Sequence, residues 1–247
     1  PDGGGYKLRT ALAEKYDLGL ENVGLGNGSN EIIELLCHCF LNPDAELIAA
    51  EHAFVVYKLM ATLFGAKYVE VADPDFIHDV DGMADAITDN TRLVFIANPN
   101  NPTGTLVGQE ALDRFMDRLL DYVVAVFDEA YFEFLEDAIA QVAALAAMDD
   151  QAHVKNTLDT NNTGLRFYER AFAERDLEYV PSVANFILVK VGDGDALFQK
   201  MLKQGVIVRA MSGYKLPEWV RISIGTQEEN ERCIEVLDQV LASTTSA

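Results

Sequence analysis

Residues 92–104 read Arg92-Leu93-Val94-Phe95-Ile96-Ala97-Asn98-Pro99-Asn100-Asn101-Pro102-Thr103-Gly104. Behind the arginine comes a continuous apolar run without polar alternation, the pattern of a strand buried on both faces. Two Asn-Pro steps and a closing glycine follow, which force a sharp, fixed loop. The form repeats downstream. Residues 109–120 have helical spacing, 123–127 are all apolar, and Asp128-Glu129-Ala130-Tyr131 follows at once. Upstream, 46–50 read as a buried strand, 54–64 as a helix closed by Gly65, 67–71 as a strand and 82–87 as a short helix. Nearer the start, 8–16 are helical, 23–26 form a short strand into a glycine turn, and 31–41 form an apolar-rich helix. Strands of this kind alternating with helices predict an α/β unit on a mostly parallel sheet, covered on both sides.

The second half changes character. Residues 138–148 and 163–175 read as helices, 186–190 as a strand, and 195–204 as a helix. Residues 206–209 and 220–224 read as strands and 227–241 as a final helix. The expected division is a large unit over 1–152 and a smaller α+β unit over 153–247.

Forty acidic residues against nineteen basic ones give the 247-residue chain a formal charge of −21. That balance argues against a phosphate backbone or an anionic membrane as partner, since both need a basic face. Small anionic ligands stay open to it, because single arginines and backbone dipoles can hold them. Cys37, Cys39 and Cys233 make no paired framework, and a reducing cytoplasm is the expected compartment. Cys37-His38-Cys39 resembles a metal fragment, but positions i and i+2 of a helix face apart, so no metal is expected. Neither a signal peptide nor a membrane-spanning run is read. The chain starts at Pro1 without a methionine, and it is expected to be incomplete there.

Four segments can carry chemistry. Gly26-Asn27-Gly28-Ser29-Asn30-Glu31 is a glycine turn entering a helix, either a plain capping turn or an anion site of free N–H groups. The loop 98–104, either a plain turn or a ligand loop, lies at a strand's carboxyl end, where open α/β sheets bind ligands. Asp128, at the end of another apolar strand, is partly desolvated and needs a cation or a donor; it either caps the next segment or meets a protonated heteroaromatic nitrogen. Tyr131 follows three residues on. Arg221 sits inside the apolar strand 220–224 and, with Arg209, needs a carboxylate or phosphate partner, structural or bound. Asn185 is a possible companion.

Together with Pro1-Asp2-Gly3-Gly4-Gly5-Tyr6, these segments closely resemble the fold type I pyridoxal-phosphate aminotransferases. Pro181-Ser182-Val183-Ala184-Asn185-Phe186, residues 205–209, Ser212-Gly213-Tyr214-Lys215-Leu216-Pro217 and Val220-Arg221-Ile222-Ser223-Ile224-Gly225-Thr226 are similar to the histidinol-phosphate branch. The resemblance is collinear over nearly the whole chain. It implies pyridoxal 5'-phosphate as cofactor, held at the phosphate by Ser29, Asn30 and Glu31. Phe54 would stack on the pyridine ring, Asn101 and Tyr131 would bond the ring's 3-hydroxyl oxygen, and Asp128 would pair with the ring nitrogen. Arg221 would bind the substrate carboxylate, and Asn185 and Arg209 would line the substrate end. It further implies a homodimer that moves the amino group of histidinol phosphate to 2-oxoglutarate, giving glutamate. Other aminotransferases, decarboxylases acting on aromatic or phosphorylated amino acids, and a non-catalytic binding protein of the same fold are the alternatives.

One part of the family pattern is missing. The Schiff-base lysine stands in a Ser-Lys segment followed by a Gly-Leu-Ala-Gly-Leu-Arg-type run, and neither occurs after Tyr131. Phe134-Leu135-Glu136-Asp137 runs straight into Ala138-Ile139-Ala140-Gln141-Val142, so the segment is expected to be missing near 137/138. The N-terminal arm is absent as well. A parallel sheet deprived of a strand exposes apolar neighbours and unpaired backbone. The expectation is therefore that the native protein carries the segment and weighs more than 27.2 kDa.

Overall fold

The computed structural model describes residues 4–134 and 151–245. The helix expected at 138–148, and the break expected at 137/138, lie outside the described residues.

The first part runs α1 (Tyr6–Lys15), α2 (Gly28–Phe40), β1 (Glu46–Ala50), α3 (Val55–Leu63), β2 (Lys67–Val71), α4 (Val80–Asp85), β3 (Thr91–Ala97), α5 (Gln109–Asp117) and β4 (Val124–Asp128). The four strands form one parallel sheet in the order β2-β1-β3-β4. Successive side chains of a strand point to opposite faces. On β3, Leu93 and Phe95 join Ile33, Cys37, Tyr57 and Ala61 of α2 and α3. Val94 and Ile96 join Val80, Met83 and Phe115 of α4 and α5. Two apolar coats on one strand explain a run without polar alternation. Burial also pushes the Cys37 thiol up to about 11, helped by Glu34, so it serves as a packing residue.

Two expectations for this part are corrected. Residues 23–26 form no strand; two glycines in four residues weaken strand formation, and the segment simply leads into α2. β4 is covered only in part: Val124 and Val126 pack on one cluster and Ala125 on the other, but none is fully buried. It ends the row of described strands, its residues are half-buried, and Phe127 is 36% exposed. Full burial needs neighbours on both sides, and among the described residues β4 has one.

The second part runs α6 (Gln151–Ala173), β5 (Tyr179–Val180), β6 (Phe186–Lys190), α7 (Gly194–Leu202), β7 (Arg209–Ala210), β8 (Trp219–Ser223) and α8 (Gln227–Thr245). Its sheet is antiparallel, in the order β5-β6-β8-β7. Tyr168, Phe172, Ile187, Val189, Met201, Val220 and Leu237 make its core. The strand expected at 206–209 shrinks to Arg209–Ala210. The Val206 N–H instead donates to Met201 O, 3.1 Å away, closing the end of α7, and Ile207 stands 78% exposed.

Contacts across the junction are specific. Lys215 pairs with Glu51 at 3.0 Å and with Glu70, Phe76 meets Trp219 edge-on at 5.3 Å, and the Val183 N–H donates to Gly104 O at 2.9 Å.

His78 lies buried beside this junction. Burial pushes its imidazole down to about 4, against the opposing pull of Asp73 and Asn100. The folded state then binds fewer protons than the unfolded state between about pH 4 and 6.5, so stability falls as pH drops through that window. Urea unfolding at pH 7 and pH 5 should show the parent losing about 2 kcal/mol more than a His78→Leu variant. Equal losses in the two proteins would remove His78 as the cause.

Candidate active site

Register sets the site. β3 and β4 pair so that Ala97 lies beside Asp128, and the loops after both strands leave the sheet together. The Asn98 N–H donates to the Asp128 carbonyl at 3.0 Å. The Asn98 side chain accepts from Val107 N at 2.7 Å and donates to Val107 O at 3.1 Å. Asn100 donates to His52 O and to Thr103 Oγ1, both at 2.9 Å. Both Asn–Pro peptides are cis, and Gly104 takes φ +76°. The asparagines that read as turn-formers are thus internal fasteners, with Asn101 left to face outward.

A cleft opens there, lined by Ser29, Phe54, Ala97, Pro99, Asn101, Asp128, Ala130 and Tyr131. Asp128 Oδ2 accepts a 2.7 Å hydrogen bond from the Tyr57 hydroxyl, and Oδ1 accepts a longer one, 3.3 Å, from Ala130 N. Asn101 works in two directions. Its Nδ2 donates to the Tyr131 hydroxyl at 3.3 Å, and its Oδ1 accepts from Arg221 Nη1 at 2.6 Å. Burial raises the Tyr131 phenol, opposed chiefly by Arg221, so it stays protonated at neutral pH. The Arg221 guanidinium lies 4.6 Å over the Phe186 ring. Its Nε is buried without a partner, and no carboxylate pairs with it among the described residues. Burial lowers its basicity, with Tyr131 opposing and Arg209 adding to the fall.

At the far wall, α2 begins at Gly28, whose φ of +78° turns the chain into the helix. A helix's first turn leaves N–H groups without intrahelical acceptors. Ser29 reaches the cleft and Asn30 is exposed at the same helix end. The Glu31 carboxylate turns back onto Asn27, accepting from its backbone N at 2.5 Å and its Nδ2 at 3.0 Å. As an acceptor already in use, that side chain has nothing to offer an anion. Phe54 stands just before α3, edge-on to Tyr57 at 5.8 Å. Arg209 lies 5.8 Å over the Tyr214 ring. Asn185 is set apart: its carbonyl accepts from Ile224 N, and it lines a separate hollow with Phe134, Asn156 and Asn161.

None of the nine lysines lines the cleft. Lys215 is held by Glu70 and Glu51, which raise its basicity, the opposite of what an amine nucleophile needs. Glu51, His52 and Asp73 bring possible metal ligands within 4.8 Å of one another, but Lys215 holds Glu51, and His52 Nδ1 is 2.7 Å from Asp73.

The family model of "Aminotransferase class I and II" matches residues 2–157 and 133–237. The chain belongs to the class I and II aminotransferases. A histidinol-phosphate aminotransferase of Akkermansia muciniphila is 46% identical over 296 residues, covering 98% of this chain and 82% of that protein. One of Ralstonia nicotianae is 38% identical over 307 residues, covering 100% and 82%. The crystal structure of the Sinorhizobium meliloti histidinol-phosphate aminotransferase in complex with pyridoxal-5'-phosphate superposes with TM-score 0.88 at 19% identity, covering 99% of this chain and 83% of that one. Aligned spans longer than the 247-residue chain mean that these relatives carry internal residues this aminotransferase lacks. The two family matches overlap at 133–157, where the collinearity breaks.

Amino-group transfer on pyridoxal 5'-phosphate is the family's activity. The cleft's donor set suits that molecule: a helix end with Ser29 for phosphate, paired Asn101 and Tyr131 for a phenolic oxygen, Asp128 for a cationic nitrogen, and Phe54 for a ring face. Among the described residues it has no amine to bond the aldehyde. The sequence signals pointed to these residues, which the fold brings to one cleft, but not to Tyr57, which reads as one more apolar position of a helix.

Gly104 supports the loop. A Cβ there would lie 2.1 Å from Ser182 Oγ, at a φ few side-chain-bearing residues adopt. Gly104→Ala should cost about 2 kcal/mol in urea unfolding, only partly recovered by adding Ser182→Gly, because the strained φ remains. Full recovery in the double variant would show that crowding alone is at work.

Proposed function

We propose that this aminotransferase acts on histidinol phosphate, passing its amino group to 2-oxoglutarate to give imidazole acetol phosphate and glutamate. Arg221 carries the reading. It is a half-buried guanidinium with one hydrogen bond, to Asn101, and no carboxylate partner among the described residues. A desolvated cation in that state calls for an anion. Histidinol phosphate offers a phosphate and 2-oxoglutarate a carboxylate, so one guanidinium serves both substrates in turn. Relatives named for the first of these substrates, at 46% and 38% identity, support the choice.

Pyridoxal 5'-phosphate supplies the electron sink for breaking the substrate Cα–H bond. The protein's part is positional. Asp128 keeps the ring nitrogen cationic, Asn101 and Tyr131 hold the phenolic oxygen, and the first turn of α2 with Ser29 and Asn30 holds the phosphate. The lysine that moves the proton is proposed to come from a segment missing near 137/138, in a homodimer of the cytoplasm. No helix of the described residues is long and apolar enough to cross a membrane. An intact mass of 27.2 kDa for the native protein would contradict the missing-segment proposal.

The absence of any lysine from the cleft favours a second reading for the 247 residues alone, a reversible binder of the cofactor. Treated with pyridoxal phosphate and borohydride, then dialysed, this chain should release the cofactor, whereas the segment-bearing enzyme should retain one pyridoxyl group. Stable attachment inside the cleft of the 247-residue chain would contradict both readings. Arg221→Ala should weaken histidinol phosphate binding to the cofactor-loaded protein about tenfold or more by calorimetry. Unchanged affinity would place the anion elsewhere.

A further inference from the structure

Tyr57 belongs to no expected site, yet it touches three of the cleft's elements. It sits one turn along α3 from Phe54 and is fully buried. Its ring stacks on Phe95 of β3 with centroids 4.5 Å apart and planes 17° apart, and meets Phe54 edge-on at 5.8 Å. Its hydroxyl ends 2.7 Å from Asp128 Oδ2. The ring therefore cannot turn without losing a stacked face, and the hydroxyl is fixed by the ring.

We propose that Tyr57 is the positioning residue of the site: by donating to Asp128 Oδ2 it fixes the carboxylate plane, leaving the other oxygen to meet a pyridine nitrogen. The inference rests on the proposed cofactor reading.

Three observations support it. Asp128 terminates β4, a half-buried strand with one neighbour among the described residues, so the sheet itself constrains the side chain little. The contact from Ala130 N to Oδ1 is long, 3.3 Å, and leaves that oxygen capacity for a second donor. A carboxylate oxygen accepts more than one hydrogen bond. Burial raises the Tyr57 phenol well above its ordinary value, and Asp128 adds to the rise, so the hydroxyl keeps its proton and donates throughout the working range. Metal-ligating histidines are oriented by outer partners in the same manner. A tyrosine on a rigid aromatic stack does it here for a carboxylate.

The test uses the 247-residue chain, pyridoxamine 5'-phosphate, and its 1-deaza analogue, which lacks the ring nitrogen. Pyridoxamine 5'-phosphate needs no lysine to bind. The parent should prefer the nitrogen-bearing ring, and Asp128→Asn should abolish that preference. Tyr57→Phe keeps the stack on Phe95 and should cut the preference about tenfold while leaving affinity for the deaza analogue unchanged. If Tyr57→Phe lowers the melting temperature but keeps the full preference, the tyrosine is a structural residue and the inference fails. If the parent shows no preference at all, the cofactor reading of Asp128 fails first. Equal loss of affinity for both compounds in Tyr57→Phe would mean collapse of the cleft, which also overturns the positioning role.

Discussion

A half-buried carboxylate at the end of a half-covered strand is the constraint around which this molecule is arranged. Asp128 loses part of its hydration there, and donors replace some of the lost water. Tyr57 supplies one donor from α3 and Ala130 N a weaker one from the next loop. The remaining lone pairs face a cleft whose other walls are the Phe54 ring, the hydrogen-bonded pair Asn101 and Tyr131, and the helix end at Ser29. Each wall comes from a different element, and the parallel register that sets Ala97 beside Asp128 brings them to one edge of one sheet.

The antiparallel sheet meets the cleft through Asn101 and through Tyr131, whose ring lies edge-on to Phe186 at 5.1 Å. Asn101 donates to Tyr131, from the same unit, and accepts from Arg221 on β8 of the other sheet. Tyr131 and Arg221 are thereby coupled across the junction. Rigidity of the 98–104 loop matters for this, because a free asparagine would satisfy itself on solvent. Nearby, Lys215 with Glu51 and Glu70, and Phe76 with Trp219, hold the two sheets in the same relation. Mostly exposed ion pairs contribute little stability on their own. Their value here is orientation.

Much of this was legible in the chain. An apolar run without alternation announced β3, and the Asn-Pro steps announced a loop too specified for a plain turn. Asp128 and Arg221 stood out as charges inside apolar strands. What escaped notice had no periodic signal. Tyr57 occupies an ordinary helix-face position, and only the fold shows its hydroxyl meeting a carboxylate 71 residues away. Glu31 looked like part of an anion site because it follows Ser29 and Asn30; a local hydrogen bond to Asn27 turns its side chain elsewhere. Residues 206–208 are apolar like a strand, but closure of α7 by Val206 uses the backbone the ladder needed.

The missing lysine sharpens the account. It separates the part of the chemistry proposed for these residues, holding and polarising a pyridine ring, from the covalent part that needs an amine. The central claim is the pairing of Asp128 with a cationic ring nitrogen. Nitrogen-15 NMR of ring-labelled pyridoxal phosphate bound to the 247-residue chain tests it most directly. A signal of the protonated ring at a pH where the free compound is neutral, lost in Asp128→Asn, is the predicted result. An unprotonated nitrogen in the bound parent, or a signal indifferent to Asp128→Asn, would contradict the account.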